Sequence, residues 1–199
     1  MKKFIFFCFC LFHIIASAQN EVNFVLKENG EYYTEGESQN FQIVQFEGKS
    51  AEEIYTILLT NINSIYNDPK IIVSNVKNSS IKVRALLKEA LFVNLYGMAE
   101  CWVAANYQLE FRIKDGRVRV SAPFIEDELI RENLSSYESS HTNKSSNSNT
   151  GFWSFRKQVS KQFKKGVVKN KYQRYHKEAN QRINNIINNI LSNNIDDNW

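Results

Sequence analysis

Basic side chains lie on both sides of an Asp115-Gly116 pair, and their type and spacing favour the binding of anions. Asp-Gly is typical of a two-residue hairpin turn, so the cations of one strand would face those of the other. They are Arg112, Lys114, Arg117 and Arg119. Because like charges opposite each other on a ribbon repel, we expect this surface to need solvent or an anionic partner.

The other face of the same ribbon is predicted to be buried. Counting from the turn pairs Ile113 with Val118, Phe111 with Val120 and Leu109 with Ala122, and puts Tyr107 on the same side. An apolar face and a charged face on one hairpin are typical of an antiparallel sheet that covers a core on one side only.

A second basic stretch lies near the C-terminus, where residues 156–177 include nine Lys and Arg residues and no acidic residue. Such a run is usually a solvated helix face, and binding of a polyanion is the alternative. Phe152, Trp153 and Phe155 precede it and resemble a membrane-interface or partner-docking segment. Core packing or a disordered tether is the interpretation that we favour for these rings. The candidate contact surface comprises Arg112, Lys114, Arg117, Arg119, Trp153, Arg156, Lys157, Lys161, Lys164 and Lys165.

Side chains for catalysis are sparse. Residues 19–199 contain one cysteine, Cys101, and two histidines, His141 and His176, too few for a closely spaced metal cluster. The sequence has no Gly-rich phosphate loop and no Gly-x-Ser-x-Gly motif. We therefore predict no catalytic residue, no metal site and no cofactor, and a hydrolase with a dispersed site is the alternative.

Two single residues allow more than one interpretation. Cys101 could be a reactive thiol, but free cysteine usually packs as a small apolar residue, so we expect it within a strand or at its start. His176 could respond to mild acid. Because His176 lies among many cations, we interpret it as a solvated helix residue.

The first eighteen residues have the pattern of a removable export signal. Lys2 and Lys3 precede an apolar run at 4–15, and Ala16-Ser17-Ala18 matches a signal-peptidase site. The run is shorter than the roughly twenty residues of a membrane-spanning helix, and Gln19 stands where a lipoprotein has cysteine. We expect a protein of the periplasm or cell envelope that starts at Gln19. Export excludes nucleic acid as a partner and leaves peripheral membrane contact open.

The helices and strands that would position these residues can be predicted from the periodicity of apolar residues and from the residues that begin or end each element. Strands are expected at 22–26, 41–46, 71–76, 80–86 and 91–96, before the ribbon at 106–122. Ser50 and Glu53 form a capping box, and the helix that follows should end at Asn67-Asp68-Pro69. One domain is expected over 19–134, a flexible Ser- and Asn-rich stretch over 135–151, and a basic, then amphipathic helix docked on the domain over 152–199. Because eight of the ten Lys, Arg, Asp and Glu residues in 21–53 are glutamates, this end and the basic C-terminal stretch could attract each other within one molecule or between two.

An exported chain with these elements resembles a bacterial family. The likeness covers about 41–122 and rests on Ser50-Ala51-Glu52-Glu53-Ile54-Tyr55 at the capped helix and Ile113-Lys114-Asp115-Gly116-Arg117-Val118-Arg119 at the hairpin. The family is an exported domain of unknown function with a TATA-binding-protein-like fold. The resemblance implies an α+β fold in which a curved antiparallel sheet has a helix after its first strand and a C-terminal helix packed on one face. It supplies no activity, cofactor or catalytic residue.

Three hypotheses about function follow. The first is a non-enzymatic binding or structural module of the cell envelope that meets an envelope protein or a polyanion through its open sheet face or its basic helix. The second is an envelope protein attached to anionic membrane or polysaccharide by its basic aromatic C-terminal segment. The third is a cryptic hydrolase.

Overall fold

The computed structural model describes residues 21–36, 39–66, 72–95, 99–130 and 154–192. The predicted signal at 1–18, the stretch 135–151, Phe152, Trp153 and the predicted helix end at 67–69 lie outside the described residues. The first elements are β1 Phe24–Leu26, β2 Tyr32–Thr34, β3 Phe41–Gln45, α1 Ala51–Ile65, β4 Ile72–Val76 and β5 Ser80–Leu95. They are followed by β6 Ala99–Lys114, β7 Arg117–Ser121, β8 Phe124–Ile130, α2 Phe155–Gln162, β9 Phe163–Lys164, β10 Val167–Val168, a 3₁₀ turn Asn170–Tyr172 and α3 Gln173–Leu191.

Six of the described strands form one antiparallel sheet. Their order is β3-β7-β6-β5-β4, and β8 also pairs with β6. β1 and β2 form a separate antiparallel pair, as do β9 and β10. The predicted α+β class is confirmed, with α1 after the first strand of the sheet and α3 as a C-terminal helix.

The predicted hairpin register is confirmed from the turn as far as Phe111 and Val120. β7 ends at Ser121, before Ala122, the predicted partner of Leu109. β6 and β7 pair Phe111 with Val120, Arg112 with Arg119, Ile113 with Val118 and Lys114 with Arg117. Gly116 has a φ of 72° in the turn, a conformation that glycine adopts without steric cost. The apolar members of this ribbon are buried and its four cations are exposed.

The prediction of two strands at 80–86 and 91–96 is wrong, because β5 is one strand of 16 residues. Its register with β6 shifts between Leu87 and Leu91. Lys88 and Glu89 are both exposed there and interrupt the apolar alternation. Pairing with β6 resumes beyond them, so a local break in the pattern does not end the strand. β8 was not predicted, since three of its seven residues are acidic and acidic residues are depleted in strands.

The predicted capping box starts α1 and ties it to the hairpin turn. Ser50 Oγ accepts a hydrogen bond from the Glu53 backbone N–H at 3.3 Å, and the Glu53 carboxylate accepts one from the Ser50 backbone N–H at 2.7 Å. The hydrogen bonds that the Glu53 carboxylate accepts from the backbone N–H and the hydroxyl of Ser50 hold its pKa below its ordinary value. Asp115 in the turn accepts a hydrogen bond from the Ala51 backbone N–H at 2.7 Å, so the turn also satisfies a free donor of the helix.

One contiguous core lies between the sheet and the helices. α1 packs against β6 and β7, α2 against β8 and β5, and α3 against α1, β5 and β1. Phe155 is fully buried in this core, so of the two interpretations of that ring the structure shows core packing. The cations of the ribbon point away from the core, because successive residues of a strand face opposite sides of its sheet.

The C-terminal segment differs from the single helix that the sequence predicts. α2 ends before a small hairpin in which Val167 lies opposite Lys164, and α3 starts only after the 3₁₀ turn. Lys165 and Gly166 have φ angles of 54° and 77°, which a two-residue hairpin turn requires and a helix does not allow. Val167, which lies within the range predicted as helix, is exposed in β10.

Three asparagines of α3 act as a hydrogen-bonding partner for β1, and we refer to Asn180, Asn184 and Asn188 as the asparagine ladder. Their Oδ1 atoms accept hydrogen bonds from the backbone N–H groups of Leu26, Phe24 and Val22 at 3.1, 2.9 and 2.9 Å. Asn184 and Asn188 also donate to the carbonyls of Phe24 and Val22 at 2.9 and 3.1 Å. The spacing of the asparagines matches that of their backbone partners, because four residues of a helix rise about 6.0 Å and two residues of a strand about 6.8 Å.

The acidic and basic ends meet within one molecule. Arg156 lies 3.7 Å from the Glu31 carboxylate, and the Gly166 N–H donates to Glu28 at 2.9 Å. Gly30 packs so closely that a Cβ there would lie 2.8 Å from Cγ of Arg156. The N-terminal strand pair is therefore held by both α2 and α3.

Candidate functional site

Six cations share the side of the sheet that faces away from α1, and we refer to them as the cationic face. They are Lys82 and Arg84 on β5, Arg112 and Lys114 on β6, and Arg117 and Arg119 on β7. Each alternates with buried apolar neighbours such as Ile81, Val83, Ile113 and Val118. The three strands are adjacent in the sheet, which brings residues far apart in sequence onto one surface.

The ribbon cations form two rows across the strands. Lys114 and Arg117 are opposite each other beside the turn, and Arg112 and Arg119 form the next row. The second row continues to Ser80 on β5 and to Ile43 on β3. Rows on one face of a strand are about 6.8 Å apart, so the pairs form two closely spaced positive positions.

The two rows differ in their internal partners. Arg112 Nε donates to the Glu110 carboxylate at 2.9 Å, and the Arg119 guanidinium lies 4.0 Å from the centre of the Phe41 ring. Over the described part of the chain, Lys114 and Arg117 make neither a hydrogen bond nor an ion pair through their side chains, and the same holds for Lys82. Two of these three free cations therefore lie beside the turn, and Lys82 lies further along the sheet opposite Glu110.

Further from the turn the positive charge is neutralised. Arg84 donates from Nε and Nη2 to the two carboxylate oxygens of Glu126 at 2.6 and 2.7 Å. This paired contact holds the pKa of Glu126 below its ordinary value, so the carboxylate stays ionised and the pair remains intact at neutral pH. The cationic face thus runs from an unpaired positive end to an ion-paired one.

A depression of about 610 Å³ lies over the unpaired end, and we refer to it as the turn groove. Its lining includes Ser79, Ser80, Arg112, Lys114, Arg117 and Arg119. This volume is within the range of small-ligand sites. Guanidinium, ammonium and hydroxyl donors converge on it, which suits a carboxylate, sulfate or phosphate oxygen.

The basic tail residues form a separate set. Arg156, Lys157, Lys161, Lys164 and Lys165 are exposed on α2 and the β9–β10 hairpin, and none of them lines the turn groove. Arg156 forms an ion pair with Glu31. Trp153, the remaining tail candidate, lies outside the described residues.

His176 is buried, with 4% of its surface exposed, so its interpretation as a solvated residue is wrong. Gln162 donates to the Phe92 carbonyl at 2.6 Å and accepts at 2.8 Å from His176 Nε2. This arrangement leaves His176 Nδ1 as the acceptor nitrogen, and no described group donates to it. Burial lowers the pKa of His176 to about 4, so the ring is neutral at physiological pH. Cys101 lies within β6 and is half-buried, in line with the packing interpretation.

Sequence reasoning missed Lys82 and Arg84 as parts of the contact surface. Their alternation with Ile81 and Val83 indicates an exposed face, but only the pairing of β5 with β6 places them beside the ribbon.

Comparison with protein-family models, with curated proteins and with solved structures finds no match for this chain. Among the described helices, none combines the length and the apolar character that crossing a membrane requires. Over the same described ranges, no three His, Cys, Asp or Glu side chains come together as metal ligands.

Proposed function

We propose that this protein is an exported, non-enzymatic binding module of the cell envelope that holds an acidic polymer against the cationic face. The pair Lys114 and Arg117 is the main support for this proposal. Two like charges lie opposite each other across the ribbon without a carboxylate partner among the described residues. Such a pair is destabilising by itself, and an anionic ligand would relieve the repulsion.

A polymer is favoured over a single small anion because the cations are exposed. A surface ion pair contributes only about 0.2–1 kcal/mol and is screened by salt. Useful affinity therefore needs several anionic groups that bind together. Two rows of ribbon cations, with Lys82 on the neighbouring strand, offer that repetition.

Attachment through the basic aromatic C-terminal segment is the second candidate. Its cations are exposed, but Phe155 is buried and Arg156 is paired with Glu31. An anchor of this kind would depend on Trp153 and on the lysines of α2 and the β9–β10 hairpin.

Export and family membership are parts of the same proposal. The N-terminal pattern supports export, and the resemblance to an exported domain with a TATA-binding-protein-like fold supports a curved sheet. Such curvature would make the cationic face concave and would bring its rows closer to an extended ligand. Mass spectrometry of the protein recovered from the envelope fraction should give a chain that starts at Gln19.

Binding of residues 19–199 to poly-L-glutamate and polyphosphate tests the proposal. We expect the double variant Lys114→Ser/Arg117→Ser to bind about tenfold more weakly, since it loses two contacts of this size. The matched control Lys157→Ser/Lys164→Ser removes the same charge from the tail and should bind as the unmodified protein does. Loss of binding only in the control would favour the tail, and no binding by the unmodified protein at low salt would contradict both candidates. Point variants are preferable to deletion of the tail because Phe155 and Val159 are buried.

A further inference from the structure

We infer that the ligand of the cationic face is an acidic saccharide, whose sugar rings lie in a second groove beside the turn groove. This inference rests on the proposed function and narrows its ligand. The second groove, which we refer to as the aromatic groove, has a volume of about 800 Å³ and lies between β2 and the open side of the sheet. Its lining includes Tyr33, Phe41, Lys82, Gln108, Arg119 and Phe124.

Aromatic side chains give this groove an apolar wall on a polar surface. Phe124 is 50% exposed at the start of β8 and lies opposite Gln108 of β6. Tyr33 is half-buried, and its hydroxyl is fixed by a hydrogen bond to Glu31 at 2.8 Å and one from Asn29 at 3.0 Å. The face of an aromatic ring has a partial negative charge, so it attracts the polarised C–H bonds on the flat side of a pyranose.

Polar groups suited to sugar hydroxyls lie on the same surface. The side chains of Asn40, Gln108 and Ser121 line the aromatic groove and can donate or accept hydrogen bonds. Ring stacking together with a few placed polar groups fixes the orientation of a ligand that is otherwise weakly held.

The two grooves are continuous in their lining, since both include Glu110, Arg112 and Arg119. A chain of sugar rings in the aromatic groove would therefore bring its acid groups to the free cations Lys82, Lys114 and Arg117. Polyphosphate and acidic peptides have the charge without the ring, and neutral glycans have the ring without the charge. Among these polymers, only an acidic saccharide uses both sets of contacts. A guanidinium binds a carboxylate and a sulfate ester alike, so the feature that the possible ligands share is a sugar with an anionic group.

The test compares three polymers: alginate oligomers, which have sugar rings and carboxylates; poly-L-glutamate of the same charge number, which has carboxylates alone; and dextran, which has neutral rings. We expect alginate to bind at least tenfold more tightly than poly-L-glutamate, and dextran not to bind. Phe124→Ala should remove the preference for alginate. The matched control is Leu86→Ala, which truncates an exposed apolar residue on a different strand, β5, outside both grooves. This variant should retain the preference for alginate.

Equal affinity for alginate and poly-L-glutamate, with no effect of Phe124→Ala, would overturn the saccharide inference and leave the acidic-polymer proposal standing. Binding of dextran as tightly as alginate would also overturn it, because charge would then play no part. Failure of both acidic polymers to bind would instead contradict the proposed function. Phe124 is half exposed, so its truncation is compatible with folding, and an unchanged thermal midpoint verifies this.

Discussion

The asparagine ladder and the cationic face are both regular arrays of polar side chains, but they differ in whether the chain itself satisfies them. Each ladder asparagine has a backbone partner on β1 or, for Asn188, at Val22 just before it. On the cationic face, Lys82, Lys114 and Arg117 have no hydrogen-bond or ion-pair partner within the described residues. The ladder is satisfied within the folded chain, whereas these three cations are left to solvent or to a ligand.

The difference separates a structural role from a binding role. A buried polar group without a partner is costly, so the hydrogen bonds of the ladder stabilise the folded chain. Exposed cations have water as a partner, so they can remain unpaired until a ligand arrives. Regular spacing alone indicates neither role, and the distinction depends on burial and on what lies opposite each side chain.

The largest effect is expected from breaking the ladder. Asn184→Ala would leave both the N–H and the C=O of Phe24 without the partners that Asn184 provides. An unsatisfied buried backbone group costs about 1–3 kcal/mol, so we expect the free energy of unfolding in urea to fall by about 4 kcal/mol. Asn185→Ala, at an exposed position of the same helix, is the matched control and should change it by less than about 0.5 kcal/mol. Equal losses for the two variants would show that the ladder does not hold β1.

His176 is a buried polar group for which the folded chain provides only one partner. Its Nε2 donates to Gln162, and no described group donates to its Nδ1. Its pKa in the folded protein is about 4 against about 6.5 when unfolded, so below pH 6.5 the unfolded state takes up a proton that the folded state does not. Stability should therefore decrease as the pH falls from 6.5 towards 4, by about 3 kcal/mol in total. At lower pH this contribution should level off, since both states are then protonated.

The measurement is urea unfolding at several pH values for the unmodified protein and for His176→Gln. The variant lacks the titrating group, so its stability should depend less on pH between 6.5 and 4. The same pH dependence in both proteins would show that His176 is not the group responsible.

The smallest effect on stability is expected at the cationic face. Lys114→Ser/Arg117→Ser removes a repulsive pair, so unfolding at low salt should require up to about 0.5 kcal/mol more free energy. Salt screens the repulsion, and the difference should vanish in high salt. A destabilised double variant would mean that these cations have a structural role after all.

Local signals explain what could be predicted from the sequence. The hairpin register follows from Asp115-Gly116 and its neighbours, and the start of α1 from Ser50 and Glu53, because each is set by contacts within a few residues. The ladder could not be predicted, since Asn184 and Phe24 are 160 positions apart in sequence. The burial of His176 depends likewise on Gln162 and Phe163, which the sequence pattern placed in one continuous helix. Four of the six residues of the cationic face could be predicted from the hairpin. Lys82 and Arg84 could not, because the sequence gives no sign that β5 lies beside β6 with its cations aligned.

Chemical-shift mapping by NMR, with alginate oligomers titrated into residues 19–199 at low salt, would show which surface holds the ligand. We expect shifts in the backbone amides of β6 and β7 around the turn and in β8 at Phe124, while the amides of β1 and α3 remain unchanged. Shifts confined to α2 and the β9–β10 hairpin, or no shifts at all, would show that the cationic face does not bind an acidic saccharide.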